Sequence, residues 1–265
     1  MSSPRIPAPV AVVTGASSGL GAIFAQRLGD RGYSLVLTGR DPGRLEQTRD
    51  RVVAGAKDRA VTLVTADLAT DDGVETLLRE LGDQPVDLLV NNAGFGTYGP
   101  FDQSDTAREM DVIGVDVAAL VRLTRAVLPG MIERGRGGVL NVASTIAFQP
   151  APYQATYGAA KAFVLSFSQA LWEETRHRGV TVTALCPGPT DTGFVSALSN
   201  AEASQTSVYA RLSQPGPVVD AGLRALDRRM PVAVPGLRNQ AIAFLPRITP
   251  RRLITSISGR LLAPK

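Results

Sequence analysis

"VAVVTGASSGLGAIFAQRLGDRG", Val10 to Gly32, decides the fold. Val10 to Thr14 is a short apolar run that reads as a buried strand. Gly15, Gly19 and Gly21 follow at once, and a helical pattern runs from Gly21 to Arg31. Glycine lets the backbone turn sharply and approach a pyrophosphate closely, while the start of a helix offers free N–H groups to negative charge. The spacing is GxxxGxG, not the generic dinucleotide fingerprint GxGxxG. Its place after the first strand points to a phosphate cradle.

"GASSG" also fits the nucleophile elbow G-x-S-x-G, with Ser17 as nucleophile. That reading needs a late catalytic histidine. The chain has one histidine, His177, in "EETRHRGV", which reads as a solvated helix end. The elbow would also sit on the first strand, with no preceding strand to supply the usual oxyanion loop.

Outward from this stretch, strand-like runs alternate with helical ones. "SLVLT" (Ser34 to Thr38), "VTLVT" (Val61 to Thr65), "DLLVN" (Asp87 to Asn91), "GVLNV" (Gly138 to Val142) and "VTVTAL" (Val180 to Leu185) read as strands, with "PVAVP" from Pro231 as a shorter seventh. A long helix is expected over Ala159 to Arg176. Near-continuous apolar strands between helices imply a parallel sheet covered on both faces. The expected fold class is α/β: a doubly wound Rossmann-type sheet of about seven strands with helices on both faces. No repeat or linker divides the chain, so residues 1–265 read as a single dinucleotide-binding oxidoreductase domain, with 189–265 as substrate loop and basic C-terminal segment.

Composition narrows the classes. The 265 residues are 44% hydrophobic, enough for a substantial core. No apolar run reaches the roughly 20 residues that span a bilayer. "MSSPRIPAPV" has no apolar signal region, and the lone Cys186 excludes an intrachain disulfide or a Cys-rich zinc site. No metal is expected, and a reducing, cytoplasmic setting is. The net charge of +4 is uneven: Arg224 to Lys265 holds nine basic residues and one acidic one, a net +8, against −4 for the rest.

Two further stretches carry chemistry. "LTGRDPGRL" places Arg40 after the second strand, where enzymes preferring NAD keep an acid for the ribose 2′-hydroxyl. A guanidinium there suits a 2′-phosphate, so NADP is expected, with NAD the lesser alternative. Asp41, followed by proline, reads as a helix N-cap. "YQATYGAAKAF" sets Tyr157 and Lys161 at i and i+4 on one helical face. A phenol is a poor base near its usual pKa of about 10, and a neighbouring ammonium favours the phenolate. Tyr153 lacks such a lysine partner and reads as a pocket wall. Ser144, at the end of the fifth strand, lies where ligands bind in open α/β sheets and can donate to a carbonyl oxygen. Taken singly, each residue also fits a purely structural role.

Together these pieces resemble the short-chain dehydrogenase/reductase family from about Val10 to Thr192. "TGASSGLG" is similar to its TGxxxGxG, "DL" at Asp67 and Leu68 to its adenine contact, and "NNAG" (Asn91 to Gly94) to its fourth-strand motif. Ser144 stands thirteen residues before Tyr157, "YGAAK" matches YxxxK, and "PGPTDT" (Pro187 to Thr192) matches PGxxxT. The resemblance implies hydride transfer between nicotinamide and a carbonyl or secondary alcohol. Tyr157 is then the acid/base, Lys161 binds ribose and lowers the phenol's pKa, and Ser144 steadies the substrate oxygen. Cofactor contacts are implied at Thr14, Gly15, Ser17, Ser18, Gly19, Leu20 and Gly21. Others are implied at Asn92, Ala93 and Gly94, then at Pro187, Gly188, Thr190 and Thr192. Thr145 is placed on the pocket wall, without chemistry.

One position departs from the pattern. In "VIGVDVAALVRL", Val112 to Leu123, Asp116 stands where the family has an asparagine, the fourth member of its catalytic group. There the asparagine helps hold a water that links the lysine to solvent, partly through its backbone carbonyl. Asp116 either pairs with Lys161, opposing phenolate formation at Tyr157, or is a neutral exchange.

Phe95, Tyr98, Phe148, Tyr153 and Phe194 are candidates for an apolar pocket or for core. The polar stretch from Thr192 to Gly216 corresponds to the family's variable substrate cover. The family often forms dimers and tetramers through helices like Asp111 to Ala126 and Tyr157 to Arg176, so a homo-oligomer is expected. The basic, amphipathic C-terminal segment suits weak contact with a membrane surface, an acidic partner, a subunit contact or solvent. No DNA-reading motif is present, so no nucleic acid partner is expected. The partner is a small carbonyl or alcohol, partly apolar. The alternative function is a catalytically weak NADP-binding regulatory or membrane-surface protein.

Overall fold

Alternate residues of the first strand serve two different cores. In the computed structural model, Val10 and Val12 of β1 (Val10–Thr14) join one buried cluster, while Ala11 and Val13 join another on the opposite face. This is the pleat's period of two, with both faces apolar because both are covered. The structure describes residues 8–55, 59–194, 198, 206, 208, 209 and 212–264.

Seven parallel strands follow the order β3-β2-β1-β4-β5-β6-β7. They are β2 (Ser34–Gly39), β3 (Val61–Thr65), β4 (Leu88–Asn91), β5 (Gly137–Val142), β6 (Val180–Leu185) and β7 (Val232–Ala233). Helices α1 (Gly19–Asp30), α2 (Pro42–Gly55) and α7 (Pro215–Asp227) cover one face, packing Phe24, Leu28, Leu45 and Leu223 onto it. Helices α3 (Asp71–Leu81), α4 (Thr106–Ile113), α5 (Leu120–Glu133) and α6 (Ala155–Thr175) cover the other. Short helices α8 (Leu237–Phe244) and α9 (Arg251–Leu262) close the chain. The strand order reverses between β1 and β4, which opens a crevice beyond their carboxyl ends.

Several expected boundaries move. Helix α1 starts at Gly19, two residues before the expected Gly21, and α6 starts at Ala155 instead of Ala159. β7 shrinks to two residues because Pro231 and Pro235 flank it and lack the N–H a ladder needs. The stretch around Asp116 is not one regular helix: Gly114–Ala119 forms a π-helical turn between α4 and α5. The extra residue tucks Gly114 against Ala69, whose carbonyl oxygen would lie 2.8 Å from any Cβ there. Such π insertions recur at functional sites.

Beneath the crevice lies a buried polar chain. Asn91 Nδ2 donates to Thr124 Oγ1 at 3.0 Å and to Asn141 Oδ1 at 2.9 Å. Asn141 Nδ2 donates to Ser168 Oγ at 2.9 Å, and that hydroxyl donates to the Val164 carbonyl at 2.6 Å. This chain ties α5 and α6 to β4 and β5. Asn141→Leu leaves Asn91 and Ser168 short of partners in the interior. It is expected to cost about 1–3 kcal/mol in urea unfolding; an unchanged midpoint would show that the chain adds nothing to stability.

Candidate active site

The crevice is stapled by the two motifs that border it. Thr14 Oγ1 accepts from the backbone N–H groups of Asn92 (3.0 Å) and Ala93 (2.9 Å). Asn92 Nδ2 returns bonds to the carbonyls of Thr14 (2.9 Å) and Gly15 (3.2 Å). Gly15 has φ +64°, and a Cβ there would lie 2.8 Å from Ala93 Cα. At Gly21 a Cβ would meet the Gly15 carbonyl oxygen at 2.2 Å. Thr14 and Gly21 therefore stand behind the wall and shape it, while Gly15, Ser17, Ser18, Gly19 and Leu20 line the cleft itself.

The cleft's volume is about 1750 Å³, above the 300–1,000 Å³ of a typical single-ligand pocket. It has room for two ligands side by side. Arg40 lies on its wall at the end of β2, exposed, with its guanidinium carbon 6.0 Å from the Phe95 ring centre. Asp41 is engaged elsewhere: its Oδ1 accepts from the Arg44 N–H at 3.0 Å, as an N-cap of α2 should. Ser18 precedes α1 without a side-chain capping bond, so the helix start keeps its N–H groups for an anion. This donor set fits an anionic dinucleotide with an additional phosphate near Arg40. Asp67 and Leu68 line the wall beside it, as do Asn92, Ala93 and Gly94. Pro187, Gly188, Thr190 and Thr192 close the opposite side.

At the inner end Ser144, just past β5, and Tyr157, in the first turn of α6, both line the cleft. Burial pushes the Tyr157 phenol well above its usual range, the carboxylate of Asp116 and then Tyr209 push it further, and a hydrogen bond with Ser144 opposes them. Ser144 Oγ also accepts the Ile146 N–H at 3.2 Å, which fixes its rotamer. Lys161 lies one turn on from Tyr157, with Nζ 5.6 Å from the phenol ring centre and donating to the Val142 carbonyl at 3.0 Å.

Asp116 projects from the π-helical turn to this lysine. Its Oδ2 lies 3.2 Å from Lys161 Nζ, and both side chains are almost fully buried. Lys161 is the main partner of this carboxylate, and the Phe95 backbone N–H also faces it. Burial raises the Asp116 carboxyl's pKa, and the charge of Lys161 pulls it back. The pair sits directly behind Gly94, where a Cβ would be 2.5 Å from Asp116 Oδ1.

The aromatic candidates divide. Phe95 and Phe194 line the cleft, and Phe194 tilts against Tyr157 with ring centres 5.3 Å apart. Tyr98 and Tyr153 pack with Leu198 in a neighbouring cluster, and half-buried Phe148 packs against the cluster that holds Val164. Thr145 is on the wall. Tyr209, missed in the sequence, also lines the cleft and donates to Gln154 Oε1 at 3.1 Å; its polar loop has no periodicity to announce it. Residues 195–197, 199–205, 207, 210 and 211 of the expected substrate cover lie outside the described residues. Burial pushes the Cys186 thiol up to about 12, so it is no nucleophile at neutral pH. His177 is exposed just past the far end of α6, about 30 Å along the helix from Tyr157 at 1.5 Å per residue. A Ser17–histidine hydrolase is therefore ruled out.

Known proteins resemble this chain in sequence and fold. The short chain dehydrogenase family profile matches residues 9–203. An uncharacterized oxidoreductase from Staphylococcus saprophyticus is 33% identical over 79% of this chain and 93% of its own length. A very-long-chain 3-oxoacyl-CoA reductase from Coprinopsis cinerea is 37% identical over 65% of this chain, but the match spans only 52% of that protein. A short-chain dehydrogenase from Sphingobium yanoikuyae, solved in complex with NADPH, superposes with a TM-score of 0.81 and 33% identity over 90% of this chain and 94% of its own. With fold, motif order and relatives in agreement, the chain belongs to the short-chain dehydrogenase family of nicotinamide-dependent oxidoreductases.

Proposed function

We propose that the protein is an NADP(H)-dependent oxidoreductase interconverting a carbonyl and a secondary alcohol, working as one dinucleotide-binding domain over residues 1–265. One observation carries this reading: the hydroxyls of Ser144 and Tyr157 line the same cleft as the Gly15–Gly19 turn and Arg40. The nicotinamide supplies or accepts the hydride. Tyr157 Oη donates the proton to the substrate oxygen in reduction and accepts it in oxidation. Ser144 Oγ donates a hydrogen bond to the same oxygen, and Lys161 holds the ribose hydroxyls. Asp116 positions Lys161. The NADPH-bound relative and Arg40 support the cofactor choice, and Phe95 and Phe194 support a partly apolar substrate. Burial keeps the Tyr157 phenol protonated, the form that donates in reduction. Exposed Phe101, Ile113 and Phe163 beside α4 and on α6 support a homo-oligomer.

Assayed with NADPH over a panel of ketones, Tyr157→Phe is expected to lose at least about 100-fold in turnover. Equal rates would remove the enzymatic reading and leave a nucleotide-binding protein. Arg40→Ala is expected to weaken NADPH about 10-fold, the worth of a charge-assisted bond, and NADH far less. An equal loss for both would take Arg40 off the 2′-phosphate.

Asp116→Asn tests the buried pair. Removing the carboxylate takes away a charge that resists phenol ionisation, so the Tyr157 pKa should fall. Reduction needs the protonated phenol, so its alkaline limb should move to lower pH. A limb that stays in place would make the exchange at this position neutral.

A further inference from the structure

The cleft accounts for only part of the apolar surface at the end of the chain: Phe244, Ile248 and Leu253 lie outside its lining. Fourteen large hydrophobic side chains are exposed among the described residues, and eight of them fall between Leu237 and Leu261. Several are far from marginal: Leu237 is 85% exposed, Ile248 69%, Phe244 55% and Leu253 53%. Scattered exposed leucines are ordinary, but this concentration in one short segment is not. Over the same stretch, Leu237 to Lys265, there are six basic residues and no acidic one.

Helix α9 shows how the two properties are arranged. Ile254, Ser258 and Leu262, spaced by four, form its buried stripe. The Leu262 carbonyl accepts the Tyr98 hydroxyl at 2.6 Å, which anchors that side to the body. Leu253, Ile257 and Leu261, one residue earlier in each turn, form a second apolar stripe that faces solvent. At 100° per residue, Arg260 falls on the outer flank of that stripe, and Arg252, 100° round from Leu253, on the polar face beyond it. Arg247 and Arg251, also exposed, precede it. An apolar stripe flanked by arginines is the pattern of a helix lying in a membrane interface, its basic heads level with the lipid phosphates. At 12 residues, α9 is too short to cross a bilayer, and no helix among the described residues is long and apolar enough to do so.

The same surface frames the cleft mouth. Leu237, Ile242 and Leu245 from α8 and the turn after it, with Ile257 and Leu261 from α9, border the cleft that holds Tyr157 and Ser144. We propose that α8, the Leu245–Arg247 turn and α9 form a docking face for an anionic lipid bilayer, with α9 in the interface plane beside the cleft opening. Charge decides the occupant. A second copy meeting this face by two-fold symmetry would set the arginine clusters against each other without a counter-charge. An anionic bilayer satisfies both properties at once, taking up the apolar stripe and neutralising the arginines. A substrate with a long apolar part would then pass to the active site along a continuous apolar wall. Docking itself does not depend on the reaction proposed above.

Co-sedimentation of the full chain with vesicles tests this, using phosphatidylcholine alone and phosphatidylcholine mixed with phosphatidylglycerol. Binding to the anionic vesicles is expected, with affinity for neutral ones at least about 10-fold weaker. Arg247→Glu/Arg251→Glu/Arg252→Glu should lose at least about 10-fold on anionic vesicles, and added salt should act in the same direction. Ile248→Ser/Leu253→Ser, at two positions that do not themselves line the cleft, should weaken binding to both kinds of vesicle. Thermal melting of each variant establishes that it is folded. No sedimentation of the native chain with anionic vesicles overturns the proposal, as does binding indifferent to both sets of substitutions. A native dimer that Ile248→Ser/Leu253→Ser converts to monomer also overturns it, since a second copy would then cover the face.

Discussion

Four hydrogen bonds between the ends of β1 and β4 hold the site open. They run between Thr14, Gly15, Asn92 and Ala93, at the point where strand order reverses. A parallel sheet leaves a crevice at such a point, but the crevice has a usable shape only if its lips are fixed. Thr14 supplies one acceptor to two N–H groups, and Asn92 supplies one amide to two carbonyls. The glycine turn can then approach Ala93 more closely than a Cβ would permit. On one side this staple sets the start of α1, and with it the phosphate end of the cleft. On the other it sets Gly94, behind which Lys161 and Asp116 meet.

The lysine–aspartate pair is the electrostatic consequence. Each buried charge alone would cost several kcal/mol of desolvation, and the other offsets it only in part. The carboxyl pKa stays raised despite the neighbouring ammonium. That residue of unfavourable burial is tolerable because the scaffold around it is over-determined. Lys161 is held by the Val142 carbonyl, and the helices bearing both charges are tied to the sheet through Asn91, Asn141 and Ser168.

The sheet was legible in the sequence because central strands buried on both faces must be apolar, and "VAVVT" admits no amphipathic reading; the edge strand β3 is the exception, with Thr62 and Thr65 exposed. The cleft motifs were legible because glycine, Arg40, Tyr157 and Lys161 have distinctive backbone or charge requirements at fixed spacing. The π-helical turn was not: one inserted residue barely disturbs an apolar helical pattern, so "VIGVDVAALVRL" reads as regular helix. Aromatic residues were ambiguous for a similar reason. Phe95 and Phe148 are equally apolar, and only the third dimension puts Phe95 both in the core and on the cleft wall while Phe148 packs off the cleft against another cluster. The Asn91–Asn141–Ser168 chain joins residues too far apart in sequence for any local pattern to reveal.

Asp116 also bears on the direction of proton transfer. With asparagine at this position, the lysine would be a net positive neighbour of the phenol and would help it ionise. With aspartate, the carboxylate opposes that help and adds to burial in keeping the phenol protonated. The remaining counterweight is Ser144, whose hydrogen bond stabilises the phenolate without adding charge. On this reading the site relies on Ser144 more heavily than one with a neutral residue at position 116.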